Sequence, residues 1–193
     1  LDARMGWYLI IATVPISVFG LLFKDQIETS ARSLYLIGAM LIGLGLVLQA
    51  AESFAKHRRK FESVETKDAV IVGLAQALAL IPGVSRSGST LTAGLFLGLE
   101  RAAAARFSFL LSVPAIVLSG GFEAYQYFTG AAGETSAGVG AIIVATLTAF
   151  VSGYLAIAWL LKFLSNHSVE IFVIYRVALG TLVIVLAASG AIS

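Results

Sequence analysis

The sequence predicts an all-α integral membrane protein with five transmembrane helices and one re-entrant helix–loop–helix hairpin. Three observations carry this. Of 193 residues, 59% are hydrophobic and only 12% are Asp, Glu, Lys or Arg, against roughly 25% charged in soluble domains. The charges gather in short clusters between long apolar runs, with no linker, low-complexity tract or acidic tail, so residues 1–193 read as a single polytopic membrane domain. One apolar stretch is broken in its middle by IPGVSRSGST, Ile81 to Thr90. The net charge of +2 matters less than the placement of the charges, and no nucleic-acid partner is expected. Without cysteine, neither a disulfide framework nor a thiolate metal site can form.

Each crossing needs about 20 apolar residues to traverse about 30 Å of hydrocarbon. Charge-free runs place crossings near Gly6 to Phe23, Ser33 to Ala51, Ala102 to Tyr125, Ser136 to Leu161 and Val169 to Ala191. The chain begins at Leu1 rather than Met, and its first apolar run is longer than the roughly 7–15 residues of a signal-peptide core, so it reads as a spanning helix. Pro15 and Pro114 fall inside two spans, which bilayers tolerate where neighbours satisfy the freed carbonyls. Orientation follows from Lys and Arg, which concentrate in cytoplasmic loops. Lys56, Arg58, Arg59, Lys60 and Lys67 form the strongest inside signal, and they place Arg4, Arg101, Arg106 and Lys162 inside with them. Lys24, Arg32 and the loop from Glu123 to Glu134, which has no basic residue, fall outside.

Between Lys67 and Arg101 the broken stretch leaves apolar pieces at Ala69 to Ile81 and Leu91 to Leu99, about 20 Å and 13 Å long as helices, too short to cross alone. A single kinked helix would put Lys67 and Arg101 on opposite faces. A hairpin over about 69–99 that dips in and returns keeps both basic flanks inside and is preferred. Backbone at such depth must be enclosed in protein or line a watered cavity.

The chemistry of the tip is that of a phosphate cradle. Pro82 stops the first half-helix, Gly83 and Gly88 permit turn conformations, and the second half-helix is expected to begin near Gly88. Its first amides lack intrahelical acceptors and carry the positive end of the dipole. Arg86 adds a forked, permanently charged donor suited to phosphate oxygens, and Ser85, Ser87, Ser89 and Thr90 add hydroxyls. An arginine at membrane depth is costly unless an anion meets it there. The plain alternative is that the serines are helix caps, that the glycines, as in Gly94-x-x-x-Gly98, serve close packing, and that the arginine pairs with a buried glutamate.

The string P-G-x-S-R-S-G-x-T, Pro82 to Thr90, closely resembles the second signature of the undecaprenyl-diphosphatase family, bacterial membrane phosphatases associated with bacitracin resistance. TVPISVFGLLFKD from Thr13, AAE ending at Glu52, QALALIPG from Gln76, RFSFLLSVP from Arg106 and IYR ending at Arg176 resemble other parts of it in order. The resemblance implies the second half of an inverted-repeat architecture in a bacterial inner (plasma) membrane. It also implies hydrolysis of undecaprenyl diphosphate to undecaprenyl phosphate and inorganic phosphate, which recycles the lipid carrier of cell-wall synthesis. Arg86, Ser85, Ser87 and Thr90 are the expected catalytic residues, with Gly83, Gly88, Ser89 and Gln76 binding phosphate. Family members have a preceding stretch with paired glutamates and a Pro-x-Ser-Ser-x-Gly-His segment. On this resemblance the chain is expected to lack it and to be inactive alone, and the ligands of a divalent metal such as Mg or Ca are expected there. No metal ligands are assigned in this chain.

Other polar residues have plainer expectations. His57 and His167 read as interfacial, and Glu62 and Glu65 as solvated. Glu52 reads as snorkelling at a helix end, and Arg176 as a counter-ion for a buried acid or a lipid phosphate. Gln76 could orient the tip or cap a carbonyl. A serine nucleophile has no visible base in the motif. The same cradle would suit a lipid-phosphate flippase or small-anion transporter, and a structural subunit or a homo-oligomer also stays open.

Overall fold

The computed structural model describes residues 3–23, 33–129 and 138–192. Lys24, Arg32 and Glu134, expected outside, lie beyond the described residues. Among those described the chain is helical: α1 (Ala3–Leu22), α2 (Leu34–Phe54), α3 (Thr66–Ala77), α4 (Arg86–Phe96), α5 (Arg101–Thr129), α6 (Val139–Leu164) and α7 (Glu170–Ala188). The long helices α1, α2, α5, α6 and α7 are each long and apolar enough to cross a membrane, which makes this a multi-pass membrane protein. Pro15 and Pro114 lie inside α1 and α5, as expected of spans.

Small residues decide which helices meet. A Cβ added at Gly38 of α2 would lie 2.5 Å from Ile184 and 2.9 Å from the Gly180 carbonyl, and one added at Gly180 of α7 would lie 2.7 Å from the Gly38 carbonyl. The two backbones touch through reciprocal glycines, because hydrocarbon solvent rewards close van der Waals packing rather than burial as such. Gly73 of α3 does the same against the Ala12 backbone of α1, at 2.7 Å, and Gly94 of α4 against Ala104 of α5, at 2.8 Å. Gly38→Leu is expected to destabilise the folded protein by about 1–3 kcal/mol through overpacking, read as a lower thermal midpoint in detergent.

The segment between α2 and α5 doubles back on itself. Arg59 donates from Nη1 and Nη2 to both Asp68 carboxylate oxygens, at 2.9 and 2.6 Å, and Asp68 lies in the first turn of α3. The same guanidinium donates to the Leu97 carbonyl, just beyond α4, at 3.1 Å. The backbones of Arg58 and Arg59 both donate to Gly98, and Glu100 donates to Arg59 in return. One arginine thus ties the start of α3 to the end of α4. Asp68 also accepts from the Glu65 amide, closing a capping box in which the Glu65 side chain engages the start of α3. Glu65 is therefore a cap rather than a merely solvated charge. Its hydrogen bonds to Asp68, reinforced by the negative charge of Asp68 and Glu65, hold the Arg59 guanidinium above its ordinary range despite partial burial.

Three further arginines gather at this end. Arg4, Arg106, Phe61 and Glu62 line a common pocket, with the Arg106 guanidinium 4.4 Å from the centre of the Phe61 ring. Arg101 donates from Nε at 2.7 Å and from Nη2 to Glu52 Oε1. Glu52 is thus a buried ion-pair partner, and the expectation of a snorkelling side chain is corrected: α2 runs on to Phe54 and brings the carboxylate to Arg101 at the start of α5. By contrast, α6 buries only Leu164 and leaves Phe150, Tyr154, Leu155 and Trp159 exposed, as a helix solvated by acyl chains does.

Candidate functional site

The site is built at the turn between α3 and α4. After Ala77 the helix tightens into a 3₁₀ turn, Leu78–Leu80, and the approaching Pro82 forbids its continuation. Gly83 then takes φ +90°, with Ile37 of α2 so near that an added Cβ would lie 2.5 Å from its carbonyl oxygen. Both the backbone angle and the space require glycine. Gly83→Val is expected to cut the yield of folded protein severalfold, measured by gel filtration in detergent against wild type.

Ser85 is the N-cap of α4: its backbone is extended and its hydroxyl accepts from the Gly88 amide at 3.2 Å. The helix therefore starts at Arg86, two residues before the sequence expectation. Gly88 is helical and needs no special turn conformation, so its expected role as a turn glycine is corrected too. What it supplies is space, since a Cβ there would sit 3.1 Å from Arg176 Nη1. The amides of Arg86 and Ser87 open the helix and have no acceptor upstream within it.

The hydroxyls divide into two groups. Ser89 and Thr90 each donate at 2.9 Å to the Arg86 carbonyl, and Thr90 also contacts Ser108 of α5 at 2.6 Å. These buried groups fix the first turn of α4. Ser85 and Ser87, 3.3 Å apart, instead line a cavity of about 290 Å³ together with Gly88, Ser108 and Arg176. Apart from Tyr175 the remaining walls are apolar, among them Leu41 and Leu48 of α2, Leu160 and Leu164 of α6, and Phe172 of α7.

Of the residues singled out in the sequence, the cavity gathers Ser85, Ser87, Gly88 and Arg176. Arg86 is half-buried in the same turn but does not line the cavity, and among the described residues no carboxylate pairs with it. Gln76 stands apart, buried on α3, where Nε2 donates to the Ala12 carbonyl of α1 at 3.3 Å. His57 Nε2 lies 2.9 Å from the Glu52 carbonyl, and the exposed His167 stacks on Phe163 at 4.3 Å. Ser108 also lines the cavity; its sequence signal is a hydroxyl inside the apolar string RFSFLLSVP. No group of three or more His, Asp or Glu side chains among the described residues could hold a metal ion, so these residues do not fit the divalent metal that the resemblance implies.

Residues 1–182 match the family described as bacitracin resistance protein BacA. The chain belongs to the BacA family. It is 53% identical over 193 residues to the undecaprenyl-diphosphatase of Nocardia farcinica, covering all of this chain and 62% of that protein. With the undecaprenyl-diphosphatase of Mycolicibacterium smegmatis it shares 52% over 192 residues, covering 70% of that protein. With that of Corynebacterium glutamicum it shares 47% over 189 residues, 98% of this chain and 64% of the relative. The chain thus spans about two thirds of the length of these BacA relatives, and the α3–α4 turn lies within the matched region.

Proposed function

We propose that the protein hydrolyses undecaprenyl diphosphate in the bacterial plasma membrane, breaking one P–O–P bond with water to give undecaprenyl phosphate and inorganic phosphate. The observation that carries this reading is the open start of α4 in the wall of a largely apolar cavity. A helix N-terminus with free amides and flanking hydroxyls suits an anionic headgroup, and the apolar walls suit an isoprenoid tail. The relatives' name supplies the reaction.

In this reading the α3–α4 segment is a re-entrant hairpin. Its helices have 12 and 11 residues, about 18 and 17 Å, too short to cross about 30 Å of hydrocarbon. Arg59 joins their outer ends on the basic side. Arg86, in the same turn but outside the cavity lining, is assigned by its charge to clamp the diphosphate where it emerges and to stabilise charge as the anhydride breaks; Ser85, Ser87 and the first amides of α4 donate hydrogen bonds to its oxygens. Ser89, Thr90 and Gly83 hold the turn in shape. The residues lining the cavity include no His, Asp or Glu to act as base, so no proton-transfer step is assigned to them.

The test is phosphate release from a prenyl diphosphate by the purified full-length protein in detergent. Stoichiometric orthophosphate and prenyl monophosphate are expected. No release, with phosphate-dependent flux across proteoliposomes, would overturn hydrolysis in favour of a carrier.

A further inference from the structure

We infer that Arg176 is a substrate-binding residue that holds the lipid-side phosphate of the substrate, and that the apolar walls beside it take the first isoprenoid carbons. This rests on the reading above and adds a second guanidinium to the site.

Arg176 enters from α7 and is only 8% exposed. Its Nε has no hydrogen-bond partner, and the bond found for Nη2 goes to the Gly83 carbonyl at 3.2 Å. No carboxylate forms an ion pair with it among the described residues. That excludes the buried acid as its counter-ion there. A buried guanidinium with a neutral acceptor and an unmatched Nε–H is an unfavourable resting state unless an anion completes it.

The room for that anion is visible. Arg176 lines the cavity beside Ser85 and Ser87, and Gly88 leaves its Nη1 unobstructed. A Cβ at Gly45 would already lie 3.4 Å from the Arg176 Cβ, so α2 limits movement of the stem. Leu48, Leu164 and Phe172 line the same space. Since the chain and the phosphate esterified to it are contiguous, the phosphate that Arg176 meets is the one bearing the prenyl group. The terminal phosphate is left to Arg86.

The test is equilibrium binding of farnesyl phosphate, farnesol and inorganic phosphate to the full-length protein in detergent, alongside kcat and KM for farnesyl diphosphate. Arg176→Gln is expected to weaken farnesyl phosphate about ten- to hundredfold, as loss of hydrogen bonds to a charged group does. KM should rise in step, farnesol binding should stay unchanged, and Arg176→Lys should recover part of the affinity. Gly88→Ala, which crowds Nη1, should weaken farnesyl phosphate in the same direction and serves if Arg176→Gln does not fold. Unchanged farnesyl phosphate affinity in a folded variant overturns the inference. So does a loss equal for farnesol, or a kcat loss without change in KM. Weakening of inorganic phosphate alone assigns Arg176 to the leaving phosphate and overturns the lipid-side assignment. If wild type releases no phosphate, the hydrolytic reading fails, while the binding arms still decide the role of Arg176.

Discussion

Arg86→Ala is expected to lower phosphate release from a prenyl diphosphate by at least about 10²–10³-fold, the scale of losing one preorganised donor to developing charge. The side chain is half-buried at the first position of α4 and has no carboxylate partner among the described residues, so its charge is not spent on the fold. Ser89 and Thr90 fix its backbone through its carbonyl, and that arrangement does not depend on the guanidinium. The alanine variant should therefore keep the wild-type thermal midpoint within a few degrees while losing turnover. Arg86→Lys should recover only a small part of the rate, because an ammonium cannot reproduce a forked contact with two phosphate oxygens. A folded alanine variant with near-wild-type turnover would remove Arg86 from the mechanism.

Asp68→Ala is the substitution expected to cost most in stability. It leaves Arg59 facing the Leu97 and Ser63 carbonyls without its carboxylate, and strips the Glu65 amide of its acceptor. Removing one partner of a buried pair costs about 3–5 kcal/mol. Because the Arg59 side chain is 32% exposed, solvent screens part of that, and about 2–3 kcal/mol is expected. Thermal unfolding in detergent reads it directly. The paired Arg59→Met, Asp68→Leu variant should recover part of the loss if the uncompensated charge, rather than the missing tie, dominates.

The crossings were legible because lipid imposes a length and a composition on anything that spans it. Their ends were less so: α2 runs past Ala51 to Phe54 because Glu52 has a partner in Arg101, which a residue-by-residue reading of hydropathy does not see. The cap at Ser85 was readable in principle, as a serine three residues before the amide it satisfies. The reason for Gly88 was not, since it depends on a side chain arriving from α7. The clasp at Arg59 was hidden for the same reason. Its residues looked like an orientation signal in a basic loop, and their partners appear only once α3 and α4 are folded against each other.

The cavity at α4 is about 290 Å³, and α6 closes one side of it only with its final turns. In the proposed reaction such a cavity would take a headgroup and the nearest carbons, and the rest of a long polyprenyl tail would lie in the bilayer. Recognition would then read the head of the molecule and ignore its length, so that prenyl diphosphates of very different carbon number are expected to be handled with similar efficiency.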